Sequence, residues 1–248
     1  MLIFSVVAGA VSAYFFARPV IRLRIPKTDS PDDILMGWKE LVDFYVPLSL
    51  TSIILLAARS VLSVGLAQAP RPLDSLAIFP VLMGFIFLFQ SITLALQEVT
   101  ISSLASGRAT VEQLKKFSAL VALGVSTAAI TIAVTPLRDI WYRTISSLPV
   151  DLLPLTPFPT IVMSIALGAL AFVFMYRGVL VHKKRTTYVS KAVGINACVL
   201  LGILFAGAFL LPVPGIYSMA VAFLCSAWAE AFYLAATSRR VESRGFEG

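Results

Sequence analysis

Four ionisable side chains and one amide stand inside stretches that are otherwise apolar. Arg59 lies in TSIILLAARSVLSVGLA, Glu98 in LALQEVTISS, Arg177 in AFVFMYRGVL, Asn196 in VGINACVLL and Glu230 in CSAWAEAFY. An arginine in hydrocarbon costs about 3 kcal/mol even on lenient insertion scales. Arg59 must therefore snorkel to a headgroup layer, share an ion pair, or hold an anionic group at a cavity wall. An acid in the same surroundings can pair with a cation, or can carry a proton if burial raises its pKa. The amides Gln90 and Gln97, with Ser91 and Thr93 beside the first, could line a cavity or join helices by hydrogen bonds.

Other chemistries find no support. There is no phosphate-binding glycine loop, no HExxH and no GxSxG. Cys198 and Cys225 lie in apolar runs, and the single histidine, His182, sits in the basic string HKKR, so no metal set or disulfide framework forms. No nucleophile is nominated, and neither an enzyme nor a cofactor is expected. The last apolar run offers Glu230 and no lysine, which argues against a retinal-binding protein.

The elements that position these residues follow from composition. Of 248 residues 58% are hydrophobic and 13% charged, about half the charge of an ordinary soluble domain. This composition identifies an all-α integral membrane protein. A bilayer core of about 30 Å needs roughly 20 apolar residues per helix. Seven stretches qualify, near residues 1–21, 42–67, 76–105, 115–136, 158–181, 189–211 and 215–237. The start, MLIFSVVAGAVSAYFFARPVIRLR, lacks the basic head and the small-residue cleavage site of a secretory signal, so it reads as a retained helix. Four segments are the resulting units: the first helix (1–22), a linker (23–41), a six-helix bundle (42–238) and a tail (239–248).

Charge tests this count. Arg22, Arg24, Lys27 and Lys39 fall in the first loop, Arg108, Lys115 and Lys116 in the third, and Lys183, Lys184 and Arg185 in the fifth. Arg239, Arg240 and Arg244 follow the last span, while the intervening loops are poor in cations. Basic loops face the cytoplasm, which puts the N-terminus outside and the C-terminus inside. The net charge of +7 is thus explained by topology without nucleic acid. In the linker, Ser30, Pro31 and Asp33 form a helix start, and Ile34, Leu35, Trp38 and Leu41 recur at helical spacing, as in an interfacial amphipathic helix. The segment PLRDIWYRTISSLPVDLLPLTPFP is long, apolar and rich in proline. It either covers the external mouth or rests in the interface through Trp141 and Tyr142.

Depth then sorts the polar residues. At 1.5 Å per residue Arg59 lies roughly 25 Å from the cytoplasmic end of its span. Glu98, Asn196 and Glu230 lie roughly 10 Å from the same side, with Arg177 slightly shallower. Arg59 and Glu98 are therefore not natural partners. Arg177, Glu98, Asn196 and Glu230 can instead share one inner polar layer, as inter-helix glue or as a gate or coupling site.

The phrases FYVPLSLTSI, SVGLAQAP, SLAIFPVL and ALQEV, with YRGVLVHKKRTTYVSKAVGINACVLL further on, resemble the multidrug/oligosaccharidyl-lipid/polysaccharide exporter superfamily. Within it they look most like the branch related to the progressive ankylosis protein. The resemblance covers the second to seventh spans and rests on short apolar phrases. It implies two six-helix bundles around a central cavity, with alternating access. The first span would then match the last helix of one bundle, and the remaining spans would form the other. Most of the first bundle is missing, which points either to a partial reading frame or to a second chain as partner. The expected function is an exporter or flippase subunit in a bacterial inner membrane, moving an amphipathic or anionic solute or a lipid-linked precursor. Arg59, Gln90 and Gln97 would serve as binding residues, and Glu98, Arg177, Asn196 and Glu230 as gate or coupling residues. The alternative is a non-transporting scaffold, or a degenerate half that assembles with a partner.

Overall fold

A computed structural model describes Val46 and residues 61–244, with 242–244 as backbone alone. The first span, the linker helix and Arg59 lie outside the described residues. Within them, residues 61–68 are helical, followed by α1 (Pro72–Ala105), α2 (Val111–Val134), α3 (Pro157–His182), α4 (Thr186–Leu210) and α5 (Gly215–Arg244). All five named helices are long and apolar enough to cross a membrane, and the described residues contain no strand.

Local chemistry sets the helix ends a few residues from where hydropathy alone puts them. Pro72 fits the first turn of α1, where its missing N–H goes unused. Thr110 and Gln113 form a reciprocal capping box, so α2 begins four residues before Lys115, the expected start. At the far end of α1 the chain turns through Gly107 at φ +64°, a left-handed position that glycine occupies without strain. The corner after α3 has the same pattern, with Arg185 N–H on the Leu180 carbonyl and Lys184 N–H on that of Val181. There the left-handed residue is Lys184, at φ +56°.

α3 is the axis of the bundle. It packs against α1, α2 and α5, while α4 packs chiefly on α5. Two-thirds of the most apolar stretch of α3 is buried in protein, against less than half for each of the other four. The helix can touch three neighbours because its buried positions include Ala166, Ala169, Ala171 and Gly178. Gly178 is the tightest of these contacts. A Cβ there would lie 2.8 Å from Thr100 Cβ and 2.9 Å from the Gln97 carbonyl oxygen on α1.

The start of α5 is bound to the corner before α1. Gly215 N–H donates to the Pro70 carbonyl at 3.3 Å and Ile216 N–H to the buried Ser75 hydroxyl at 3.2 Å. Two of the N–H groups that a helix start leaves without intrahelical partners are thereby satisfied.

The connection from α2 to α3 is more ordered than its prolines suggest. It holds a helical turn at Leu137–Asp139, a π-helical turn at Ile140–Ile145 and a 3-10 turn at Val150–Leu155. Its two aromatic residues turn inward. Trp141 donates from Nε1 to the Val81 carbonyl of α1 at 3.2 Å and meets the Phe85 ring edge-on at 5.9 Å. Tyr142 is fully buried, with its hydroxyl 2.7 Å from Thr160 Oγ1. Because the Thr160 hydroxyl donates to the Thr156 carbonyl, the Tyr142 O–H is the donor in the first bond. The segment is thus fastened to α1 and α3 through these rings.

Two outcomes follow. Gly178→Ala should destabilise the protein by about 1–3 kcal/mol, because backbone stands in the way and cannot rotate aside. Gly124→Ala, with open space around its Cβ, should be close to neutral. Thermal unfolding in detergent compares them, and equal melting temperatures would contradict the close α1–α3 contact. Burial pushes the Tyr142 phenol up to about 12, against the smaller opposing effects of Thr160 and Arg138. The unfolded chain releases that proton near pH 10 and the folded one only near 12. This contribution to stability is therefore present below pH 10 and lost between about 10 and 12. Tyr142→Phe should flatten that loss in a melting series across the window.

Candidate functional site

α3 and α5 run alongside each other, and Arg177 on the first meets Glu230 on the second. Arg177 donates from both Nε and Nη2 to Glu230 Oε1, the Nε bond measuring 2.8 Å. Glu230 is 1% exposed and the Arg177 side chain 13%. The guanidinium also sits over the Phe174 ring, 5.4 Å from its centre, where the ring's negative face adds attraction. The surroundings are apolar, with Val173, Ala231 and Leu234 buried in the same cluster. Neither charge would be tolerable alone in such a place. As a pair with two hydrogen bonds they are stable there, although apolar residues of similar size would hold the helices equally well.

The inner polar layer anticipated from depth is therefore partly realised. Glu98 lies close to this level, since its neighbours Gln97 and Thr100 touch Gly178, the residue after Arg177. Its side chain, however, is exposed and stays outside the pair. Asn196 is half-buried on α4. Gly207 on α4 lies against Ser218 on α5, and the antiparallel register from that contact sets Asn196 about level with Ala229. Gln90 and Gln97 are half-buried. Beside Gln90, the Ser91 hydroxyl bonds back to the Leu88 carbonyl at 2.6 Å and that of Thr93 to the Gln90 carbonyl at 2.8 Å. Each of these hydroxyls thus has an acceptor within its own helix.

An apolar cavity of about 450 Å³ opens toward the other end of the bundle, between the start of α3, the end of α4 and the start of α5. Phe158, Ile203, Leu210, Tyr217 and Val221 line it. Ser218 also lines it, nearly buried, its hydroxyl without a hydrogen-bond partner. None of the residues singled out from sequence lies here. Ile203, Ala206, Gly207 and Leu210 of its lining fall in the small-residue string GILFAGAFLL, which precedes the prolines at 212 and 214.

The chain matches no family model, no curated protein and no solved structure.

Removing one partner of the ion pair leaves a buried unpaired charge. Arg177→Ala or Glu230→Ala should each lower stability by about 3–5 kcal/mol. An Arg177→Met, Glu230→Leu double variant should recover most of that loss. Unfolding measurements on the wild type, Arg177→Met, Glu230→Leu and the double variant give the coupling directly, and simple additivity would exclude an energetic link between the two side chains.

Proposed function

We propose that this protein is a membrane transporter subunit of the exporter or flippase type, moving an amphipathic or anionic molecule by alternating access. The observation that carries this reading is the Arg177–Glu230 pair. A permanent joint between two membrane helices is made as well by apolar side chains, whereas an ion pair can also serve as a latch that opens and recloses. On this reading the pair holds α3 to α5 in one state and releases Glu230 to take up a proton in the other. The resemblance to the exporter superfamily supports the same direction. So does the apolar cavity with its unpartnered hydroxyl, which suits the chain of an amphiphile. In this scheme there are seven spans with the N-terminus outside, and the basic loops face the cytoplasm of a bacterial inner membrane. Arg59 attracts the anionic group, and Glu98 and Asn196 border the moving joint.

A scaffold role is the second reading. It draws on the closed geometry of the pair, in which both guanidinium donors already rest on one carboxylate oxygen.

Reconstitution decides between them. Proteoliposomes containing the protein should move a fluorescent anionic amphiphile between leaflets faster than empty vesicles, with a rate that depends on a pH gradient. Glu230→Gln should abolish that pH dependence, and Arg59→Ala should slow the anionic tracer more than a zwitterionic one. Wild-type protein that is folded, inserted and still moves no tracer under either gradient would leave the scaffold reading standing.

A further inference from the structure

We propose that the basic end of the bundle holds a binding site for a phosphate-bearing lipid headgroup, in a cavity between the α3–α4 corner and the last turns of α5. The cavity measures about 500 Å³, a volume in the range of small-molecule sites and ample for a phosphodiester with a short polar substituent. Lys183 and Arg185 reach it from the corner, Tyr188 from the first turn of α4, and Tyr233, Thr237 and Arg240 from α5.

The chemistry of this lining is one-sided. Ammonium and guanidinium groups only donate hydrogen bonds, and the Tyr and Thr hydroxyls can donate as well. No acidic residue is among the described lining residues. The sequence contains no acid between Asp151 and Glu230, and Glu242 is the first acid after Glu230, one residue past the lining. Glu230 is engaged by Arg177, so Lys183 and Arg185 are the cations that carry the site. A compact anion with several acceptor oxygens answers that set, and arginine forks in particular match phosphate geometry.

The corner is also shaped to gather these groups. With Lys184 left-handed, the chain reverses within three residues, and both residues flanking Lys184 line the cavity. A further cation, Lys191, lies over the Tyr188 ring at 5.9 Å. The position at the ends of three membrane-crossing helices favours a lipid headgroup as the source of the phosphate, with its chains left in the surrounding leaflet. Tyrosines at such a level are at home in the interface. This site does not depend on the transport reading, since a scaffold could hold a lipid equally well.

The test uses the full chain in nanodiscs of phosphatidylcholine doped with phosphatidylglycerol, with retained lipid counted by native mass spectrometry. Phosphatidylglycerol should be retained in preference to phosphatidylcholine of the same chain length. Lys183→Ala with Arg185→Ala should weaken that retention about 25-fold, at roughly fivefold per cation. Lys115→Ala with Lys116→Ala removes the same charge from the other basic corner and should leave retention within about twofold. Lys183→Arg should keep it, and melting curves establish that each variant is folded. Glycerol phosphate in the buffer separates the sources. Failure to displace the lipid identifies the headgroup in its leaflet, and displacement at millimolar levels identifies a phosphate site open to free esters too. Equal retention of the two lipids, or equal loss in both double variants, would overturn the proposal.

Discussion

Inside a bilayer an apolar side chain gains little by exchanging lipid for protein, so helices are held together by close contact and by polar pairing. α3 bears that constraint most heavily, because it packs closely on three other helices and touches a fourth. Its answer is small side chains at the crossings. Gly178 brings its backbone against α1, and Gly168 comes close to Ser126 on α2. Larger residues fill the spaces between crossings, among them Met163, Leu167, Met175 and Leu180, all fully buried. The remaining helices present large apolar residues outward, such as Phe87 and Leu88 on α1, Leu120 and Leu123 on α2, and Phe232 on α5.

Against that background the polar groups divide by place. Hydroxyls on the helices mostly bond to carbonyls one turn back, as Ser91, Thr131 and Ser164 do, and so cost little in a medium without water. Arg177 and Glu230 cannot be satisfied within one helix and instead bond to each other. At the ends of the bundle the pattern changes. Tyr142 and Trp141 lock the α2–α3 connection onto α1 and α3, and several cations, Lys183 and Arg185 among them, gather at the opposite end. The bundle is thus polar at one interior joint and basic among the described lining residues at one end.

How much of this could be read from residues alone depends on the kind of information. Helix existence follows from apolar length, and α3 lies within a residue of the expected 158–181 at each end. The starts of α1 and α2 were placed late, because a hydropathy reading stops at the acids and lysines that a helix end tolerates, while caps such as Thr110 and prolines such as Pro72 set the boundary. Depth along a helix is legible from rise per residue, which is why Arg177 and Glu230 could be assigned to one layer. Rotation about the axis is not, and rotation separates Glu98, which is exposed, from Glu230, which is buried. The inward turn of Trp141 and Tyr142 is hidden for a related reason, since an irregular segment has no period from which to infer a face. The apolar cavity arises where three helix ends fail to meet, and no single stretch of sequence encodes such a gap.

The central place of α3 also bears on the order in which the protein is made. Among the named helices α1 and α2 emerge from the ribosome first, yet they make few contacts with each other, and each packs mainly on α3. Their joint therefore cannot close until the residues after the 135–156 connection have been synthesised and inserted. During that interval the Gln97–Thr100 face of α1 and the Ser126 face of α2 still lack the α3 contacts described above, and the connection with Trp141 and Tyr142 is already in place beside them. Assembly of this bundle is thus gated by the arrival of its third described membrane-length helix, and α5 can complete the Arg177–Glu230 bond only once that helix is seated.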